Sequence, residues 1–421
     1  MPESSAPEGA AKIIHPERQT LSILVVILAS LTAFAPLSID MYLPSFPQLA
    51  ADFGASAARI EMSLATFFLG LALGQLFYGT VTDRLGRKTP MYVGLTIYWL
   101  ASIACAFAPT AETLIALRFF QALGACGGIV IARAAVRDLF DRAESARVFS
   151  LLMLVMGAAP ILAPLVGGYV ALFFGWRAIF LVVAGFSAVC LLAVFKFLPE
   201  TREPNPDVKL GQTLGIYWRI AKDREFLGFT LAGGFAQAGM FAYITGSPFV
   251  FIELFGIPAE RYGWVFGLNA LGLIALSQLN GRLLKRFDPT SILRACLLAT
   301  AVFSLLLILA GLFQLGFWSV SVPLFLYVAS LGMIFPNATA GALSQHSAKA
   351  GGAASALIGT LQYALAAIAS SLVSRFNDGT TLPMTALVGV CGIAAFLTLN
   401  LLINIKSERK IKVTEEHISI G

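Results

Sequence analysis

Long apolar stretches separated by short polar ones dominate the chain. A helix crossing the hydrocarbon core of a bilayer needs about 20 apolar residues, at a rise of about 1.5 Å each. Such stretches run over 21–47, 60–81, 90–108, 112–133, 147–170 and 176–198. They resume over 226–252, 262–283, 291–313, 318–340, 353–374 and 383–405. The pattern predicts an all-α integral membrane protein with twelve transmembrane helices. One long polar interval, 199–225, divides these spans into six and six. The expected organisation is a tail over 1–20, a six-helix half over 21–198, a linker over 199–225, a second half over 226–405 and a tail over 406–421. Many transporters are built from such halves, with the site at their interface near the midplane.

Composition agrees with this reading. Charged residues make up 12% of the chain and hydrophobic residues 58%, where a soluble domain carries about 25% charged residues. The basic excess, 29 Lys+Arg against 23 Asp+Glu, does not point to nucleic acid, because the basic residues sit in the loops on one side. Arg84, Arg87, Lys88, Arg137, Arg142, Arg147, Lys209, Lys222, Arg224, Lys285 and Arg286 share that side; Arg59, Arg177, Arg261 and Arg375 fall on the other. Short cytoplasmic loops collect Lys and Arg, so the rich side is expected inside, with both termini. The first apolar run is too long for a signal-peptide core, and no cleavage is expected. Cys105, Cys126, Cys190, Cys296 and Cys391 lie within apolar spans without metal-ligand spacing, and read as small core residues.

The first span contains a carboxylate. Asp40 has Pro36 four residues before it and Pro44 four residues after. Proline lacks an N–H, so a helical Pro44 leaves the Asp40 carbonyl unpaired and Pro36 does the same to Thr32. The helix is expected to bend here. A carboxylate facing lipid costs about 2.5–3.5 kcal/mol on insertion scales, so Asp40 is expected to face a water-filled interior; the alternative is a helix that ends by Leu43, leaving Asp40 at headgroup level. In the fourth span Arg118, Gln121, Ala125, Gly128 and Ala132 form one polar-to-small stripe. Arg118 lies roughly 10 Å from the outer end of its span, at a depth similar to that of Asp40. Pairing of the two, or competition for one proton, is the expectation; snorkelling to the interface is the plainer reading of Arg118. Glu61 and Glu253, near outer span ends, are expected at the interface.

Between the second and third spans the chain reads Gly79-Thr-Val-Thr-Asp83-Arg84-Leu-Gly86-Arg87-Lys88. The basic residues suit a helix C-terminus; Asp83 does not, and needs an arginine or another helix N-terminus as partner. Gly79 and Gly86 permit close approach and a sharp turn. In the fifth span Gly157, Pro160, Pro164 and Gly167, followed by Gly168, place small residues on one face and two prolines that should curve the helix.

The sequence resembles the Major Facilitator Superfamily. The resemblance rests on the Gly79–Lys88 loop, Arg118-Phe-Phe-Gln121 with Gly124, the Gly157-to-Gly168 run and Leu198-Pro199-Glu200-Thr201. Ile39-Asp-Met-Tyr-Leu-Pro44, Arg133-Ala-Ala-Val-Arg137-Asp138 and Ser247-Pro-Phe-Val-Phe-Ile-Glu253 further resemble its bicyclomycin-resistance (Bcr/CflA) type of drug:proton antiporter. That resemblance implies a monomeric multidrug exporter of the bacterial inner membrane, working by alternating access on bicyclomycin- or chloramphenicol-like compounds. It implies proton coupling at Asp40 and Arg118, a Gly79–Lys88 loop that steadies the cytoplasmic side, and a fifth span that seals the seam between halves. The proton gradient is the energy source and no cofactor is expected.

A cavity for amphipathic compounds needs aromatic and aliphatic walls with few polar groups. Tyr42, Phe67 and Gln121 are the candidates in the first half; Met240, Tyr243, Asn269, Tyr327, Phe335, Asn337 and Gln362 are those in the second. Two rival functions stand beside export. Transport of an amino acid or sugar would call for more charges within the spans. A membrane enzyme or sensor would call for a catalytic cluster, and His15, His346 and His417 all fall in cytoplasmic segments.

Overall fold

The computed structural model describes residues 18–204, 210–344 and 351–403. The expected tails beyond 18 and 403, and residues 205–209 of the linker, lie outside the described residues. The first crossing is built from α1 (Arg18–Thr32), α2 (Phe34–Asp40), a 3-10 turn over Leu43–Ser45, and α3 (Phe46–Phe53). Five long helices follow: α4 (Ala57–Leu85), α5 (Lys88–Ala106), α6 (Ala111–Leu139), α7 (Arg142–Phe174) and α8 (Trp176–Phe197). The linker carries α9 (Leu210–Ile220). α10 (Arg224–Ser247) continues as a π-helical segment, Pro248–Leu254. The chain closes with α11 (Ala259–Leu283), α12 (Pro289–Leu312), α13 (Phe317–Ser344), α14 (Gly351–Arg375) and α15 (Leu382–Leu402). Among the described residues there is no strand. Among the described residues eleven helices are long and apolar enough to cross a membrane, and twelve when the bent first crossing is counted as one. Large apolar side chains such as Leu154, Phe173, Phe174, Phe195 and Leu401 stand exposed around the bundle. A surface of that kind suits lipid rather than water.

The first crossing bends by 40° between Thr32 and Phe34. The reason is local. Pro36 has no N–H for the Thr32 carbonyl, so the ladder restarts with Leu37 N–H bonding Ala33 O at 2.9 Å. Pro44 lies in the 3-10 turn, and α2 ends on Asp40. The two prolines therefore make Asp40 the last residue of a short helical segment. The crossing then runs on to Phe53, past the expected end near 47, and stops at Gly54 with φ +59°.

The first six crossings meet the last six along two seams. At one, α4 packs on α14: a Cβ on Gly359 would lie 2.9 Å from the Gln75 side chain. At the other, α7 packs on α11: a Cβ on Gly263 would lie 2.8 Å from the Leu165 nitrogen. Gly168 of α7 faces the Ala259–Glu260 backbone, with 3.2 Å available to an added Cβ. Gly167 does something different. It lies against the backbone of Met41, inside the first six crossings, and a Cβ there would overlap the Met41 carbonyl. The small face of α7 thus seats the segment carrying Asp40 as well as lining the seam. Pro160 and Pro164 both sit inside α7, which remains one helix.

Gly167→Val is expected to destabilise the protein by at least about 1–3 kcal/mol, the range for overpacking a dense interior. Gly157→Ala, whose Cβ would find Ile274 at an ordinary 3.6 Å, should change little. Thermal unfolding of the two purified variants in detergent checks both.

Candidate functional site

Arg118 is completely buried in α6, and among the described residues no acid forms an ion pair with it. Its guanidinium carbon lies 4.2 Å from the ring centroid of Phe67, 4.8 Å from that of Tyr42 and 5.8 Å from that of Phe180. One terminal nitrogen donates to the Ser38 carbonyl at 2.9 Å and the other to Gln121 Oε1. The Nε hydrogen has no acceptor. The network continues outward from these groups. Gln121 Nε2 donates to Ser102 Oγ at 2.8 Å, and Ser102 donates to the Tyr98 carbonyl at 2.7 Å. Ser38 and Tyr98 share a hydroxyl hydrogen bond of 2.6 Å, and Tyr42 and Ser63 share one of 3.0 Å. The Tyr98 ring stacks on Phe34 at 4.6 Å. Aromatic faces carry negative charge, so they stabilise a cation that has been taken out of water. Tyr42, Phe67, Gln121 and Arg118 are thus brought together as one sealed cluster.

Asp40 does not join that cluster. Among the described residues neither a hydrogen bond nor an ion pair joins it to Arg118. The helix explains why. Successive helical residues are turned by about 100°, so Asp40 points about 200° away from Ser38, whose side chain and carbonyl hold Tyr98 and Arg118. Asp40 is buried all the same, with 4% of its surface exposed. Its charge reaches Tyr243 and Tyr262, both in the last six crossings. Tyr243 accepts from Asn269 Nδ2 at 3.0 Å and stacks on Phe266 at 5.6 Å. Tyr262 shares a short hydroxyl hydrogen bond with Ser247, the last residue before the π-helical segment. Asp40 therefore faces Tyr243 across the bundle, and Asn269 holds the tyrosine hydroxyl. The headgroup-level reading of Asp40 and the snorkelling reading of Arg118 do not fit these positions.

The remaining candidates scatter. Tyr327 is fully buried and donates to the Ala236 carbonyl at 2.9 Å, which makes it part of the packing of α10 against α13. Asn337 donates to Asn280 Oδ1 and to Met333 O, each at 2.8 Å, and ties α13 to α11. Met240, Phe335 and Gln362 are half-buried. A cluster not anticipated from the sequence crosses between the two sets of helices: Phe68 lies 4.3 Å from Phe241, and Phe241 lies 6.0 Å from Tyr363. Nothing in the order of Phe residues along the chain distinguishes these. Glu61 also departs from expectation. It is 1% exposed, and its Oε1 accepts from Asn377 at 3.3 Å, across the α4–α14 seam. Glu253, by contrast, is exposed.

At the opposite end of the bundle, the loop between α4 and α5 forms a second polar centre. Gly86 adopts φ +79°, which favours glycine, and a Cβ there would meet Glu200 and the Arg202 carbonyl at 3.0 Å. Glu200 accepts from the backbone N–H groups of Arg87 at 2.7 Å and Lys88 at 3.1 Å. A carboxylate thus sits on the N-terminus of α5, where its charge is favoured. Arg87 is buried and pairs with Asp138 at 3.0 Å, joining the α5 start to α6. Arg84 is exposed on the last turn of α4. The Asp83 side chain lies outside the described residues. Gly79 faces Ala356 of α14 and the Tyr217 hydroxyl of α9, each about 3 Å from an added Cβ, so α4, α9 and α14 converge here.

Comparison with known proteins follows this geometry. The family model described as Major Facilitator Superfamily matches residues 28–371. An uncharacterized MFS-type transporter, YdgK of Bacillus subtilis, is 36% identical over 388 residues, covering 90% of this chain and 94% of that protein. A bicyclomycin resistance protein homolog of Haemophilus influenzae is 32% identical over 383 residues, covering 90% of this chain and 96% of that one. Among solved structures, a D-xylose–proton symporter superposes with a TM-score of 0.71 at 14% identity, over 92% of this chain and 98% of that one. With its helical bundle, its two seams and its Gly79–Lys88 loop, the chain belongs to the Major Facilitator Superfamily and is a membrane transporter rather than an enzyme.

Proposed function

We propose that the protein exports small amphipathic compounds across the bacterial inner membrane by alternating access, with protons flowing inward through Asp40. The observation that carries this reading is the buried Asp40 carboxylate, which faces Tyr243 and has neither a hydrogen bond nor an ion pair among the described residues. A charged carboxylate buried without a partner is costly, and a proton removes that cost. Arg118 is occupied elsewhere, so no fixed cation competes for the site. Phe68, Phe241 and Tyr363 offer an aromatic wall to an apolar substrate body, with Tyr243 and Asn269 as the polar contacts. The relative named for bicyclomycin resistance supports a drug-like substrate over a sugar or amino acid.

The mechanism follows from which groups are fixed and which are free. Arg118, Gln121, Ser38 and Tyr98 lock α2 onto α5 and α6, so Asp40 moves with the first six crossings. Tyr243 and Asn269 move with the last six. Rocking of one set against the other changes the access of Asp40 to water on either side. It binds a proton when open to the outside and releases it when open to the cytoplasm. Substrate and proton act on one two-state equilibrium, which links their movements. The basic loops favour a cytoplasmic Gly79–Lys88 end, and in this reading both termini lie on the same side. There the Arg87–Asp138 pair and Glu200 hold α4, α5 and α6 as one unit. The unit of function is the single chain.

Asp40→Asn in proteoliposomes with an imposed inward proton gradient is expected to abolish uphill chloramphenicol export while leaving downhill exchange intact. Undiminished uphill export would remove Asp40 from the mechanism. Arg118→Lys loses the planar fork that reaches Ser38 and Gln121 together. Its expected cost is about 1.5–3 kcal/mol, the worth of a hydrogen bond to a charged group. A melting curve that matches the wild type would count against the clamp.

A further inference from the structure

Glu61 is the buried acid that the transport reading leaves unused. It lies near the start of α4, at the Asp40 end of the bundle. Its Oε1 is held by Asn377, in the loop between α14 and α15, while its Oε2 is buried with no hydrogen-bond partner. A small cavity beside it is walled by Phe249 and Val250 of the π-helical segment and by Met384 of α15. The Ser374 hydroxyl of α14 is a further neutral neighbour. Among the described residues, the charge that reaches Glu61 is that of Glu253, an acid on the π-helical segment. The nearby ions face elsewhere: Arg59 is paired with Glu112 on the surface, Asp378 accepts from Thr380, and Arg375 is exposed. Thus, among the described residues, the elements packed against Glu61 offer it a neutral dipole, an apolar wall or a like charge, and none offers a cation.

We infer that Glu61 is a second proton-binding site, which latches the α4–α14 seam at this end of the bundle. In the closed seam a charged Glu61 would leave a buried charge and an unmet oxygen, whereas the neutral acid has only one O–H to place. Parting of the seam puts water on Glu61, and the acid ionises. Closure therefore takes up one proton and opening returns it to the same side. Because the closed seam binds more protons than the open one, acid favours closure and alkali favours opening. The proton on Glu61 is never carried across, so it adds nothing to the stoichiometry set at Asp40. It makes the balance of states respond to the pH on one side only. The inference rests on the geometry of the seam and stands or falls independently of Asp40.

The experiment reads distance across this end. Spin labels go on Phe107, after α5, and on Leu315, after α12, both well exposed. The full-length protein, with its five native cysteines replaced, is measured by electron–electron double resonance in lipid nanodiscs at about pH 5 and about pH 9. In the wild type the long-distance population is expected to rise at least about tenfold between the two, the change one titrating proton supplies over a pH unit. Glu61→Gln, neutral and of the same shape, should stay closed at both values; Glu61→Met serves the same purpose if the amide does not fold. Asp40→Asn and Glu253→Gln should keep the response, and Asn377→Ala should populate the open state more at both values while still responding to pH. A wild type without pH response, or a Glu61→Gln protein that opens as the wild type does, overturns the inference. Loss of the response in Asp40→Asn alone would assign it to Asp40 and overturn it equally.

Discussion

The guanidinium of Arg118, buried with no ion-pair partner among the described residues, governs the arrangement of the first six crossings. Isolated charges are expensive in a low-dielectric interior. Here three aromatic faces, one amide oxygen and one backbone carbonyl take the place of water. The backbone carbonyl matters most for function. It belongs to Ser38, so the cation grips the first crossing where the chain has been weakened by Pro36. Holding Ser38 fixes the rotation of α2, and that rotation turns Asp40 toward the other set of helices. One buried cation thereby decides where an acid two residues from its anchor points.

The same arrangement separates two charges that proximity in depth would have paired. A salt bridge between Arg118 and Asp40 would neutralise both and leave Asp40 with little reason to change its protonation. Apart, each has a distinct place: Arg118 is held by packing, and in the proposed mechanism Asp40 is the group that exchanges a proton. The prolines on either side contribute by ending α2 at Asp40, and Gly167 contributes by letting α7 lie against the backbone of Met41. The site is thus supported from one side by aromatic packing and from the other by a glycine that admits no side chain.

The two ends of the bundle differ in their polar chemistry. At the Gly79–Lys88 end, charges are satisfied in pairs and at a helix N-terminus: Arg87 with Asp138, and Glu200 with the first N–H groups of α5. Such contacts bind α4, α5 and α6 to one another. At the Asp40 end the α4–α14 seam closes around a buried acid, Glu61, with an amide for a partner, and the α7–α11 seam around backbone contacts. Contacts of the first kind make a rigid body, whereas those of the second kind separate at the cost of one weak hydrogen bond.

Much of this was legible in the sequence. The spans follow from runs of about 20 apolar residues, the bend from Pro36, and the sharp loop from Gly86, because each is a property of a few neighbouring residues. Asp40 and Arg118 stood out for the same reason: a charge inside an apolar run is costly wherever the run folds. What they touch was not legible. Pairing between them was expected from equal depth, but depth fixes position along a helix and leaves its rotation open. Rotation is set by Tyr98, Ser102, Phe180 and Ser63, which come from three other helices and carry no signal of their own in sequence. Glu61 shows the same limit from the other side. Its place near the end of a span suggested water, and only the packing of α14 and the Asn377 loop over it, more than 300 residues later in the chain, turned an interfacial acid into a buried one. The sequence by itself settles which segments leave water, since that depends on composition along the chain. The tertiary structure alone settles which buried groups meet, since that depends on how separate helices rotate and close on one another.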